Sequence, residues 1–223
     1  MPLAMANLVL ASVFLPLSHF LIASTSLRDK LVGRWGERTY SRGYSLLSVA
    51  AFVWLGFAYH NAPTVVLWPS PRWLEPALAP VVLLAGILVV AGLTTPNPVI
   101  VRSEALFDSQ DIVRGILRIS RNPFFWGVSL LALVDMALVS TIAAYLAFGS
   151  VAFLGLAGGA ILDAKKARRH GAAWCAFAQN TSDIPFLAIA QRRQKLVVAE
   201  IGVWRIGGGL ALGVAALCLE GIR

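Results

Sequence analysis

Charge is scarce in this chain. Of its 223 residues only 13% are charged while 58% are hydrophobic, and the mean hydropathy is +0.74. A soluble domain carries roughly 25% charged residues, so this apolar surplus must face lipid rather than a single water-rimmed core. Cysteine is nearly as rare. Cys175 and Cys218 lie in a basic segment and near the end of the last apolar run, without CxxC or Cys/His zinc spacing, so neither a disulfide framework nor a zinc site is expected. No G-x-x-x-x-G-K-[ST] phosphate loop occurs. Met1 to Asn7 carries no Lys or Arg, which argues against a secretory leader and for a first apolar run retained as a membrane helix.

What is abundant is long apolar sequence, since about 20 residues suffice to cross a bilayer as a helix. Leu3–Thr25, Tyr44–His60, Ala77–Leu93 and Ala199–Leu219 each read as a span. Phe124–Leu162 is too long for one helix of ordinary tilt, and Val139-Ser140-Thr141 offers a turn that makes it a tight hairpin of two spans. Thr94-Thr95-Pro96-Asn97-Pro98 ends the third span, because proline lacks a donor and disfavours helix before it. Val99–Arg121 alternates apolar and charged residues and reads as an amphipathic interfacial segment. The expected fold is all-α: a polytopic helical membrane protein of about six transmembrane helices, forming one integral membrane domain over residues 1–223.

The net charge of +8 would suit nucleic acid if it were gathered on one face. Instead, every Lys and Arg except Arg72, Arg205 and Arg223 falls in three segments between apolar runs: Arg28–Arg42, Arg102–Arg121 and Lys165–Lys195. A six-span arrangement puts all three on one side, which the positive-inside rule makes cytoplasmic. The expected partner is membrane lipid, with headgroups at the basic collar Lys165–Arg169, and no nucleic acid. The expected location is the bacterial inner membrane.

Few side chains inside the apolar runs can do chemistry. His19 can be an axial haem or metal ligand, or a histidine hydrogen-bonded near a helix end. Arg121-Asn122-Pro123 places a cation at a helix N-terminus, where Asn122 caps, Pro123 takes the first helical position, and an anion would be favoured. Asp135 is the one acid inside the hairpin run Phe124–Leu162: a proton relay, a partner for an arginine such as Arg205, or a residue near the wet hairpin tip.

Taken as an ordered set, certain residues resemble a known family. They are Ser18-His19, Arg28, Gly36 and Tyr44–Ser48; then Arg121-Asn-Pro-Phe-Phe-Trp-Gly-Val128; then Leu146–Ser150, Asp163, Gly171, Trp174 and Thr181–Phe186. Across nearly the whole chain this pattern is similar to that of NnrU-type membrane proteins. That family includes proteins linked with denitrification and nitric-oxide metabolism, and the haem b enzyme 15-cis-zeta-carotene isomerase. The resemblance implies haem b as cofactor with His19 as ligand, and a hydrophobic small molecule such as a polyene lipid as substrate. It also implies cofactor-facing residues at Arg121, Asn122 and Asp135, and at the last two the family pattern has histidine. A more distant likeness is to membrane methyltransferases with Arg-His-Pro-x-Tyr-x-x-Gly before a hairpin, which implies S-adenosylmethionine. This chain lacks that histidine and tyrosine.

Overall fold

A computed structural model describes residues 2–24, 26–99 and 112–220. Eight α-helices run through them in chain order: α1 Pro2–Ser24, α2 Ser26–Trp35, α3 Glu37–His60, α4 Leu74–Thr94, α5 Pro123–Val139, α6 Ile142–Asn180, α7 Leu187–Ala190 and α8 Val203–Glu220. Among the described residues the only β pairing is an isolated bridge between Val66 and Thr141. Helices α1, α3, α4 and α6 are long and apolar enough to cross a membrane, and α5 and α8 are shorter apolar helices. The expected all-α membrane architecture is therefore the observed one.

Two compact units divide the chain. The first holds Met1–Leu74 and Ala132–Leu154. Its core interleaves Leu8, Ala11 and Leu15 of α1 with Ala51, Leu55 and Ala58 of α3, and Ala143 and Ala147 of α6. Small residues facing leucines let the helices approach closely, which is how packing is gained where lipid removes the hydrophobic drive. Polar side chains also tie this unit together: Trp54 Nε1 donates to Asn7 Oδ1 at 3.0 Å, and Tyr40 donates to the Ile22 carbonyl at 3.2 Å. The basic segment after the first span begins as helix α2. Gly36, at φ 78, turns it directly into α3, and Arg28 and Glu37 clasp across the turn at 2.6 Å.

The turn at Ser140 and Thr141 stands where the sequence places it. Ser140 adopts φ 50, its Oγ donates to the Ala137 carbonyl at 2.9 Å, and Thr141 Oγ1 caps α6 by accepting from the Ala144 N–H at 3.1 Å. The segment Val65–Leu67 is bonded to this turn, through Leu67 N to Ser140 O at 2.9 Å and Ile142 N to Val65 O at 3.0 Å.

The second unit holds Glu75–Leu131 and Gly155–Arg223. Helices α4 and α8 meet through Gly86, Gly209 and Gly213; a Cβ on Gly86 would strike the Gly209 carbonyl, and one on Gly209 the Ile87 backbone. Helix α5 crosses α4 as closely, since a Cβ on Gly127 would lie 2.7 Å from the Ala85 carbonyl oxygen. The expected basic loop after Leu162 begins as helix: α6 runs on to Asn180, broken only at Gly171 (φ 47, ψ −114). Charge there does not end the helix, because the alanine-rich stretch beyond it keeps helical propensity. The expected amphipathic segment is partly outside the described residues; its described end forms a 3-10 turn at Gly115–Arg118 that is largely buried.

Candidate functional site

The start of α5 in the second unit concentrates more buried polar chemistry than any other turn described. Ser120, Asn122 and Pro123 are almost wholly enclosed. Backbone bonds fix the approach: Arg121 N donates to Ser182 O at 2.9 Å, Asn97 Nδ2 donates to Arg121 O at 2.8 Å, and Ser120 Oγ donates to Asp183 O at 2.6 Å. Asn97 is itself held in the proline-rich stop of α4, where its Oδ1 accepts from Val99 N at 2.9 Å. The prolines that end α4 thus also deliver a side chain to this site.

On that frame the side chains form a closed ionic cluster. The Arg121 guanidinium reaches Asp163 Oδ2 through Nε and Nη2, each at 2.6 Å, and lies over the Trp174 ring with 5.7 Å to its centroid. Asn122 Nδ2 donates to Asp163 Oδ1 at 3.0 Å and to Asp183 Oδ1 at 2.8 Å. A Cβ on Gly159 would sit at an ordinary contact distance of 3.5 Å from both Asn122 Nδ2 and Asp183 Oδ1, so α6 runs directly beside the bridging amide. Asn122 holds the position before α5, and its carbonyl accepts from Trp126 N at 3.2 Å, but its amide nitrogen serves the two acids. Burying charge is tolerable only when it is paired and hydrogen-bonded, and here one arginine, one amide and two carboxylates satisfy each other.

A second lock flanks the cluster. Arg118 makes a two-pronged pair with Glu200, at 2.8 Å and 2.9 Å, and also donates to Gln194 Oε1 at 2.7 Å; Glu200 in turn accepts from Gly115 N at 2.8 Å. The Arg118 guanidinium, then the Gly115 N–H, hold the Glu200 carboxyl below its ordinary range. Arg205, considered from the sequence as a partner for Asp135, spends its guanidinium on the Thr94 side chain and carbonyl and on the Ile201 carbonyl.

His19 lies in α1, in the first unit. Its Nδ1 stands 2.8 Å from the Leu15 carbonyl oxygen, and the rings of Tyr44 and Phe52 meet the imidazole edge-on at 5.6 Å and 6.2 Å. A carbonyl can only accept, so Nδ1 is the donor in this bond, and whenever the ring is in its neutral form the lone pair lies on Nε2. Asp135 belongs to the last turns of α5 before Ser140, also in the first unit. Of the four residues singled out from the sequence, the structure joins Arg121 and Asn122 in one cluster. Their partners Asp163, Asp183, Ser120 and Asn97 carry no local signal of pairing, although an acid at the end of an apolar run, such as Asp163, signals by itself that a partner must exist.

The haem b implied by the resemblance can be tested against these residues. His19 fits, with Nε2 set up as a donor atom. Asn122 does not fit, because its amide is a neutral group already bound to two acids. Among the described residues no cluster of three or more His, Cys, Asp or Glu could hold a metal ion.

Four spanning helices, two shorter apolar ones and a buried ionic joint beside a basic collar define an all-helical integral membrane protein. The family model described as NnrU protein matches residues 7–220, nearly the whole chain, and the chain belongs to that family. No curated protein and no solved structure matches it.

Proposed function

We propose that this NnrU-type membrane protein serves nitrogen-oxide or redox metabolism in the bacterial inner membrane, with haem b held through His19. The observation that supports it is the bond from His19 Nδ1 to the Leu15 carbonyl. A backbone acceptor on one ring nitrogen fixes the tautomer and the ring orientation, as at metal-bound histidines generally. Tyr44 and Phe52 limit rotation of the ring. Bound there, haem b would supply an iron centre for electron exchange or for a small ligand such as nitric oxide, or for isomerising a polyene lipid. No second imidazole stands at 122 or 135, so His19 is the single protein ligand in this reading.

The test is a reduced-minus-oxidised spectrum of the purified protein. A Soret band lost in His19→Ala is expected; no band, or one unchanged by that substitution, overturns the reading. A second reading is favoured by the closure of the Asn122 cluster: a non-enzymatic membrane factor, in which the site that carries histidine in relatives has become a structural joint. It predicts no Soret band and full retention of fold. The methyltransferase reading predicts binding of S-adenosylmethionine, and calorimetry that detects none removes it.

A further inference from the structure

A polar connector outside the spans would be expected to hide its large apolar side chains, and the stretch between α6 and α8 does not. Ile184, Phe186, Leu196 and Val198 leave 51%, 36%, 49% and 52% of their surface open. Cations interleave with them: Arg192 and Lys195 are exposed, and neither joins an ion pair among the described residues. The acids nearby are spent, Glu200 on Arg118 and Asp183 on Asn122. Phe186 and Arg192 also hold left-handed backbone, at φ 64 and φ 58, a region that bulky side chains avoid.

Such strain persists only where the surroundings over-determine it, and here they do. Phe186 N donates to Ile119 O at 2.9 Å, Ala188 N to Ser182 Oγ at 2.9 Å, and Arg193 Nη1 to the carbonyls of Gln179 and Thr181 at 2.6 Å and 2.7 Å. The connector is thus a fixed surface that presents apolar groups and cations together.

We infer that residues 184–198 form an interfacial surface that docks anionic phospholipid. The apolar side chains enter the acyl boundary, and Arg192 and Lys195 meet headgroup phosphates, the combination by which non-spanning segments bind membranes. Charge complementarity selects this occupant. Zwitterionic lipid would satisfy the apolar groups and leave the cations without a net counter-charge, and an acidic soluble protein would do the reverse. None of the residues that carry the haem reading is used.

The test is thermal unfolding of the full-length protein in detergent with added phosphatidylglycerol or phosphatidylcholine. The anionic lipid is expected to raise the midpoint more. The variant Arg192→Gln/Lys195→Gln should lose most of that difference, while Arg34→Gln/Arg38→Gln, on α2 and α3, keeps it. Equal shifts with both lipids, an unchanged double variant, or the same shift with inorganic phosphate would overturn the inference. Depth gives a second readout. A spin label on Leu196→Cys, in a Cys175→Ser/Cys218→Ser background in liposomes, should be relaxed more by oxygen than by a water-soluble nickel complex. The opposite order, or label–label coupling that reports a second copy seated there, also overturns it.

Discussion

Asn122 shows how one amide can close a buried polar site. Its amide donates to two carboxylates at once, and one of these, Asp163, also takes the Arg121 guanidinium. Removing that amide strands acceptors that water reaches poorly. Hydrogen bonds to charged groups contribute about 1.5–3 kcal/mol each, so Asn122→Ala should destabilise by about 2–4 kcal/mol in equilibrium unfolding in mixed micelles. Arg121→Ala should cost more, about 3–5 kcal/mol, because it leaves a buried charge without its partner. If the two variants unfold like the parent, the cluster is not a joint. At this scale the sequence was legible only for position. It located Asn122 before a proline-led helix, and the structure puts it there. The bonds to Asp163 and Asp183 span 41 and 61 residues of chain, and nothing in local pattern encodes which distant acids converge.

At the scale of elements, the boundaries that proline, serine and threonine control were readable, and those near charge were not. The turn at Ser140-Thr141 was legible because an over-long apolar run needs a break and those residues supply a cap. Helix α2 and the far half of α6 were not, because loop and water-exposed helix share a composition. The 3-10 turns at Gly115–Arg118 and Val198–Glu200 illustrate what such a pattern hides: the Glu200 carboxylate joins them, pairing with Arg118 and accepting from the Gly115 N–H. Because the folded state holds the Glu200 carboxyl below its ordinary range, the pair stabilises above the unfolded carboxylate value, about 4.3, and loses that contribution as pH falls through the lower folded value. Amide exchange at residues 115–118 should therefore accelerate as pH drops below about 4, beyond the intrinsic pH trend. In Glu200→Gln this extra acceleration should vanish, with exchange already raised at neutral pH. The glycine contacts give a second expectation. Gly209→Leu forces side-chain atoms into the Ile87 backbone, and overpacking of this kind costs typically about 1–3 kcal/mol. Gly207→Leu, where a Cβ meets nothing within 4 Å, should be tolerated in the same unfolding assay.

For the molecule as a whole, the number of crossings decides which end of each helix meets the cytoplasm. By length α5 is the doubtful one, since its 17 residues span about 26 Å against a hydrocarbon core of about 30 Å. The two ends of α5 are bonded to segments of different composition. Its start is tied to Ser182 and Asp183, beside the basic connector, whereas the turn that follows it is tied to Val65 and Leu67, beside the tryptophan- and proline-rich segment that holds only Arg72. The distribution of Lys and Arg makes a sharper expectation: by the positive-inside rule the three basic segments should all be cytoplasmic. Single cysteines in a Cys175→Ser/Cys218→Ser background test this directly. Ser70→Cys should react with a membrane-impermeant maleimide in intact cells, whereas Arg34→Cys and Gln191→Cys should react only after lysis. All three positions are exposed in the structure, so access to the reagent depends on sidedness alone. Labelling of Gln191→Cys in intact cells would reverse the orientation. Protection of Ser70→Cys together with Arg34→Cys would remove a crossing by α3 and, with it, the six-span arrangement.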